Sequence, residues 1–272
     1  MTKPTPTEIG NAYDTSADLL DQLWGENLHH GFWDGTPDDT FEKATNRLTD
    51  KLSGMLDIKP GDRLLDIGCG VGEPAMRLAS AHHIDVVGVS ISQRQVDKAN
   101  GRAAAAGLAD RLSFQYGDAM DLPFPEESFD LVWALESLHH MPDRWQVIRQ
   151  AARILRPGGQ MAIGDFLLST THGTAADAAS VDLVRNGVLK LVDLDEYQAN
   201  LSAAGLVPAT AEDVSDGTRP SWAKAAEVFE ASRELAEQHI GAEQFDITIS
   251  RFRQLSEAPT VGYVLLTARK PA

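Results

Sequence analysis

The chain has 272 residues and a formal net charge of −16, with 43% apolar and 24% charged residues. That length suits one large domain with a buried core, and so acidic a surface argues against a nucleic-acid substrate. Cys69 is the single cysteine, which excludes an internal disulfide and a Cys-x-x-Cys metal site and fits a reducing compartment.

Residues 8 to 57 alternate apolar and polar positions at helical spacing, most clearly in "SADLLDQLW" and "TNRLTDKLSGML". They are expected to form an N-terminal helical cap over 1–57, interrupted by the loop "GENLHHGFWDGTPDD". After the turn signal "KPGD" (59–62) the pattern changes. "RLLDIG" (63–68) reads as a strand, "EPAMRLASA" (73–81) as a helix and "DVVGVS" (85–90) as a strand. "SQRQVDKANGRAAAAG" (92–107) reads as a helix with Ser92 as N-cap and Gly107 past its end. The strands "LSFQYGD" (112–118) and "FDLVWAL" (129–135) follow. Next come the helix "WQVIRQAARIL" (145–155), a stop at "RPGG" (156–159) and the strand "QMAIGDF" (160–166). Such alternation implies an α/β fold with a parallel sheet covered on both faces, here over 58–170. In the remainder, 171–272, "LDEYQANLSAAG" (194–205) reads as a helix and "LVPATAEDV" (206–214) as a strand. One or two long helices are expected over 221–255, then a last strand, "GYVLLTARK" (262–270). The chain is expected to be a single domain, 1–272, with 220–255 as a helical lid.

"LLDIGCGVGEPA" follows a strand and opens a helix, and Gly68, Gly70 and Gly72 give G-x-G-x-G. Glycines let such a turn take positive φ and let a ligand approach the backbone. Glu73 stands where a dinucleotide fold carries Gly or Ala. Asp66, just before the glycines, would repel a pyrophosphate but can hold an ammonium group. Asp118, closing the third strand, can accept from an adenine amino group.

"LLDIGCGVG", "VVGVSIS", "YGDAMDLPFPEESFDLVWALESLHHM" and "ILRPGG" closely resemble the class I S-adenosylmethionine (SAM)-dependent methyltransferases. The resemblance implies a Rossmann-like seven-stranded mixed sheet whose last strand is antiparallel. It implies SAM as cofactor, with Asp66, Gly68 and Gly70 along its methionine part, Asp118 and Ala119 at its adenine, and Ala134 completing the set. Many members end the second strand with Asp or Glu; Ser90 stands there in this chain, with Gln95 five residues on. A branch resembling cyclopropane and mycolic-acid synthases has that pair, and each side chain is expected to bond one ribose hydroxyl.

Six of the eight histidines fall in adjacent pairs. His82-His83 lies between the first sheet helix and the second strand, away from the carboxyl edge where ligands bind, and reads as solvated surface. His29-His30, among Trp24, Phe32 and Trp33, fits a pocket wall or a packing role. His139-His140 follows the fourth strand at the carboxyl edge, where the methyl sulfonium would sit, and "GDF" puts Asp165 at the same edge of the fifth strand. A histidine titrating near neutrality suits a general base, and a carboxylate can orient it. His139 is expected to be the base, Asp165 its support and His140 an acceptor-positioning group. In a strand-like segment the two rings would point opposite ways, which disfavours joint metal chelation; no metal site is expected.

"ALESLHH" stands where amide-nitrogen methyltransferases carry Asp/Asn-Pro-Pro-Tyr/Phe, so a hydroxyl acceptor is expected. "LWGENLHHGFW", "RPSWAKAAEVFE" and "GYVLLTARKP" are similar to actinobacterial natural-product O-methyltransferases. That resemblance implies a small-molecule acceptor, an ansamycin first and a sugar hydroxyl of a glycosylated natural product second. A small-molecule C-methyltransferase and a non-catalytic SAM-binding module remain as alternatives. No apolar run approaches the roughly 20 residues of a membrane span, and "MTKPTPTEIG" lacks an apolar signal core, so no membrane and a cytoplasmic location are expected. Homo-oligomerisation is left open.

Overall fold

In the computed structural model, which describes residues 27, 29–37, 39–169 and 191–272, the short apolar runs pair into one sheet. Helix α1 (Phe41–Ser53) precedes β1 (Arg63–Ile67), α2 (Glu73–Ala81), β2 (Asp85–Ser90), α3 (Gln93–Ala105) and β3 (Leu112–Tyr116). Then come β4 (Phe129–Leu135), a single 3-10 turn (Leu138–His140), α4 (Arg144–Ile154) and β5 (Leu155–Leu168). The last part holds α5 (Leu194–Ala203), β6 (Val207–Asp213), the one-turn α6 (Ser215–Thr218), α7 (Pro220–Ala231), α8 (Arg233–Ile240), α9 (Ala242–Glu257) and β7 (Val261–Arg269). The strand order is β3-β2-β1-β4-β5-β7-β6. The first five strands are mutually parallel, and β7 runs antiparallel to both β5 and β6. This is the seven-stranded mixed sheet that the sequence implies.

Strands buried on both faces carry continuous apolar runs, as β1 and β4 do. Their side chains alternate between two cores. Leu64, Trp133, Phe166 and Tyr263 pack with α1, α2 and α3, whereas Leu65, Val132 and Ala134 pack with α4 and α5. Ser92 caps α3 as expected, its hydroxyl accepting from the Gln95 N–H at 3.1 Å. Asp143 and Asp193 cap α4 and α5 in the same way.

Two expectations need adjusting. The stretch "RPGG" does not separate α4 from a later strand, because β5 begins at Leu155 directly after the helix. The Gly158 N–H donates to Lys270 O and the Lys270 N–H to Gly159 O, so the turn residues are absorbed by pairing with the end of β7. The region 220–255 forms three helices, broken where Ser232 leaves helical geometry and where Gly241 takes φ +80°. The helix expected in "SADLLDQLW" lies outside the described residues. Among the described residues, no helix is long and apolar enough to cross a membrane.

The turn after β1 is pressed against the end of β4. Gly68 has φ +77°, and a Cβ there would lie 2.4 Å from the Ser137 Cβ. Ser137 cannot yield easily, since its hydroxyl donates to Ile67 O at 2.6 Å. Gly61 has φ +87° but nothing within 4 Å of an added Cβ. Gly68→Ala should therefore destabilise by about 2–4 kcal/mol, strain plus overpacking, and Gly61→Ala by about 1–2. Equal losses in chemical denaturation would show that the contact with Ser137 is not limiting.

Candidate active site

The chain returns from β3 at the sheet edge to β4 on the other side of β1, so a crevice opens at the carboxyl ends between them. A cavity of about 330 Å³ occupies that crevice. Asp66, Gly68 and Gly70 form one wall, Ser90 and Gln95 a second, and Asp118 and Ala119 a third. His29, Glu136, His140, Phe229 and Phe252 also face it. Seven of the eight residues expected to bind the cofactor thus share one cavity.

Ala134 does not line it. It is fully buried in the core under α4, because side chains alternate along β4 and the next residue, Leu135, takes the cavity face, joined by Glu136 where the chain leaves the strand at φ +48°. Ser90 and Gln95 act as a unit, unlike the separate contacts expected of them. The Ser90 hydroxyl donates to Gln95 Oε1 at 2.8 Å and accepts from the Ser92 N–H at 3.2 Å. The hydroxyl hydrogen is therefore spent, and the Gln95 amide NH2 is the donor left for a ligand.

Asp66 is 3% exposed, and burial pushes its carboxyl up to about 7, with Trp133 beside it offsetting part of the effect. A carboxylate desolvated in this way favours a cationic ligand. Asp118 accepts from the Met120 N–H at 2.8 Å through Oδ1. Gly70, at φ +53°, has nothing within 4 Å of an added Cβ, so backbone lies open to the cavity. An ammonium, a polar ring edge and neutral hydroxyls are matched by these groups, and the residues present fit SAM.

His139 and His140 sit on the 3-10 turn, not on an extended segment, so their rings do not point opposite ways. They lie side by side with centroids 3.8 Å apart. His140 is exposed and faces the cavity; His139 is 6% exposed and Asp165 fully buried, and neither lines it. His139 Nδ1 lies 2.6 Å from Asp165 Oδ1, which also accepts the Phe166 N–H at 2.9 Å. The Tyr197 hydroxyl donates to Asp165 Oδ2, and Arg144 Nη1 stands 3.8 Å from that oxygen and 3.3 Å from the Tyr197 hydroxyl. Burial and the Asp165 charge push the Tyr197 hydroxyl well above its usual range, so it stays a donor. With donors on both oxygens, Asp165 is an acceptor. The His139 hydrogen therefore sits on Nδ1, and Nε2 carries the lone pair.

The sequence reading did not single out Tyr197, Arg144, Glu136 or Tyr263. Glu136 stands within "ALESLHH", but its partners come from distant segments. It accepts from the His30 N–H at 2.7 Å and the Tyr263 hydroxyl at 2.9 Å on one oxygen, and faces His30 Nδ1 at 3.0 Å on the other. Burial pushes its carboxyl up, but the His30 charge and hydrogen bonds outweigh that and hold it at about 2. His29 bonds its neighbour's carbonyl and the Thr49 hydroxyl, and burial lowers its pKa. Of the third pair, His82 is half-buried and His83 exposed, at the far end of the sheet.

Residues 65–163 match a methyltransferase-domain family. Over its whole length the chain is 65% identical to the 27-O-demethylrifamycin SV methyltransferase of Amycolatopsis mediterranei (strain S699), with 100% of each covered. The chain belongs to the class I SAM-dependent methyltransferases, and SAM is its methyl donor. Within that class it is an O-methyltransferase. It is also 38% identical to methyltransferase GfsG of Streptomyces halstedii, over 97% of this chain and 94% of that one. Among solved structures, the [4+2]-cyclase SpnF superposes with a TM-score of 0.87 at 31% identity, covering 100% and 99% of the two chains.

Asp66 also shapes stability. Between its usual value near 4 and about 7, the empty folded protein holds a proton that the unfolded chain releases, so this group's contribution falls as pH rises through that window. Asp66→Asn removes the buried charge. At pH 8 the ligand-free variant should be more stable than the parent by about 1 kcal/mol or more, with the gain shrinking toward pH 5. A variant less stable at pH 8 by denaturant titration would contradict the burial argument.

Proposed function

We propose that the chain methylates a hydroxyl of an ansamycin, with His139 as general base. The observation that carries the mechanism is the buried 2.6 Å contact between His139 Nδ1 and Asp165 Oδ1. The 65% identical relative named for an ansamycin substrate supports the acceptor class. When bound, SAM supplies an electrophilic methyl group on a sulfonium centre. Asp66 holds its ammonium group, the Gln95 amide, oriented by Ser90, a ribose hydroxyl, and Asp118 with Ala119 the adenine edge. Nothing more than binding and orientation is asked of these residues.

An aliphatic hydroxyl is a poor nucleophile until its proton begins to leave. His139 takes that proton at Nε2, and the resulting imidazolium is stabilised by Asp165, whose charge Arg144 and Tyr197 hold in place. His140, at the cavity face, positions the acceptor. Phe229 on α7 and Phe252 on α9 present apolar surface to the same cavity, which supports 220–255 as the acceptor lid over a single domain.

Two outcomes test the assignment. Asp66→Asn should weaken SAM binding about tenfold to a hundredfold by calorimetry, the loss of a charge-assisted hydrogen bond. His139→Ala should lower kcat about 10²–10⁴-fold with SAM affinity nearly intact, and Asp165→Asn should fall the same way by less. If His140→Ala abolishes turnover while His139→Ala retains it, the base is His140.

A further inference from the structure

The His29-His30 pair is a motif that the mechanism above leaves unused, and His30 belongs to a second histidine–carboxylate pair. Glu136 follows β4 with φ +48°, a left-handed conformation that turns its side chain toward the N-terminal segment. An ionised Glu136 can only accept, so the His30 hydrogen facing it sits on Nδ1. Nε2 is then the ring's remaining polar atom, a lone pair in the neutral ring and an N–H donor in the imidazolium. That atom is buried and has no hydrogen-bond partner among the described residues. Around the imidazole, Phe166 and Trp222 stand edge-on with ring centroids at 4.9 and 4.3 Å, and Tyr263, at 6.2 Å, spends its hydroxyl on Glu136. A buried polar atom without a partner costs stability and calls for a bound group.

Its position suggests which group. Phe166 is also 4.9 Å from His139, so the two histidine–carboxylate pairs flank one ring. His30 lies just behind the cavity wall: its chain neighbour His29 and its hydrogen-bond partner Glu136 both line the cavity. We propose that His30 Nε2 is an acceptor-binding, specificity-determining contact. It shares a hydrogen bond with a second hydroxyl of the acceptor, which can donate or accept, while the hydroxyl to be methylated faces His139. Trp222, the half-buried member of the cage, is the side by which that hydroxyl enters. The acceptor class this selects is a polyhydroxylated molecule whose second hydroxyl sits in an apolar or aromatic skeleton. The inference rests on the O-methylation reading with His139 as base.

Two variants separate this role from a structural one. In His30→Asn the amide nitrogen replaces Nδ1 and keeps the bond to Glu136, but no atom stands at Nε2. In His30→Gln the amide reaches the Nε2 position. With 27-O-demethylrifamycin SV as acceptor, His30→Asn should raise KM roughly tenfold, with kcat and the SAM dissociation constant within about twofold of the parent. His30→Gln should recover part of that loss. An unchanged KM in His30→Asn overturns the proposal, and so does a change confined to SAM affinity or to melting temperature, which would leave His30 only a latch on Glu136. His139→Ala, run in parallel, isolates the underlying reading: if it keeps kcat while His30→Asn raises KM, the base assignment fails and the His30 contact stands. A parent protein that does not bind this acceptor, by calorimetry with S-adenosylhomocysteine present, overturns the substrate class and this contact together.

Discussion

Parallel pairing of β1 with both β2 and β4 is the constraint on which the rest of the molecule depends. Parallel strands need long crossovers, so helices cover both faces and the strand ends collect at one edge. The return of the chain from β3 to β4 across β1 parts two of those crossovers and opens the crevice there. Asp66, Ser90 and Glu136 sit at or just past strand ends on that edge, and Asp165 lies within the last residues of β5, which runs on to Leu168. They are distant in sequence and become neighbours because the sheet is parallel.

The buried charges at that edge are handled in two different ways. Asp165 is fully covered and has donors on both oxygens, so its hydrogen bonds are satisfied within the protein and it orients a neighbour. Asp66 is just as enclosed, yet burial raises its carboxyl to about 7. A satisfied charge positions other protein groups. An undersatisfied one stores a preference for a cation that the protein itself does not supply. Burial of Asp66 costs stability at pH above its raised value, a cost that a bound cation beside the carboxylate would offset.

The N-terminal and C-terminal parts are stitched to this edge by polar contacts. Gly31 N–H and the Trp33 indole both donate to the Ser221 hydroxyl at 2.9 Å, and the Trp33 N–H donates to Gly217 O at 2.7 Å. With His30 held by Glu136, residues 30–33 bridge the end of β4 and the start of α7. Residues 30–33, the start of α7 and the carboxyl edge meet through these side chains, so the edge and the C-terminal helices are coupled through packed, hydrogen-bonded contacts.

Local pattern was enough for the strands and helices of the sheet, the glycine turn, the Ser92 cap and the grouping of seven cofactor-side residues, because period and turn chemistry act over a few residues. It was also enough to pair His139 with Asp165, since both lie at strand ends that parallel topology brings together. Local pattern placed Ala134 in the cavity, but the pleat turns it into the opposite core, and which face a strand residue takes depends on register against neighbours. It gave His139 and His140 opposite directions, but a 3-10 turn sets them side by side. Tyr197, Arg144 and Tyr263, and the pairing of His30 with Glu136, were beyond it for a single reason. Each works through a carboxylate contributed from far along the chain, and only packing decides which buried donor meets which buried acceptor.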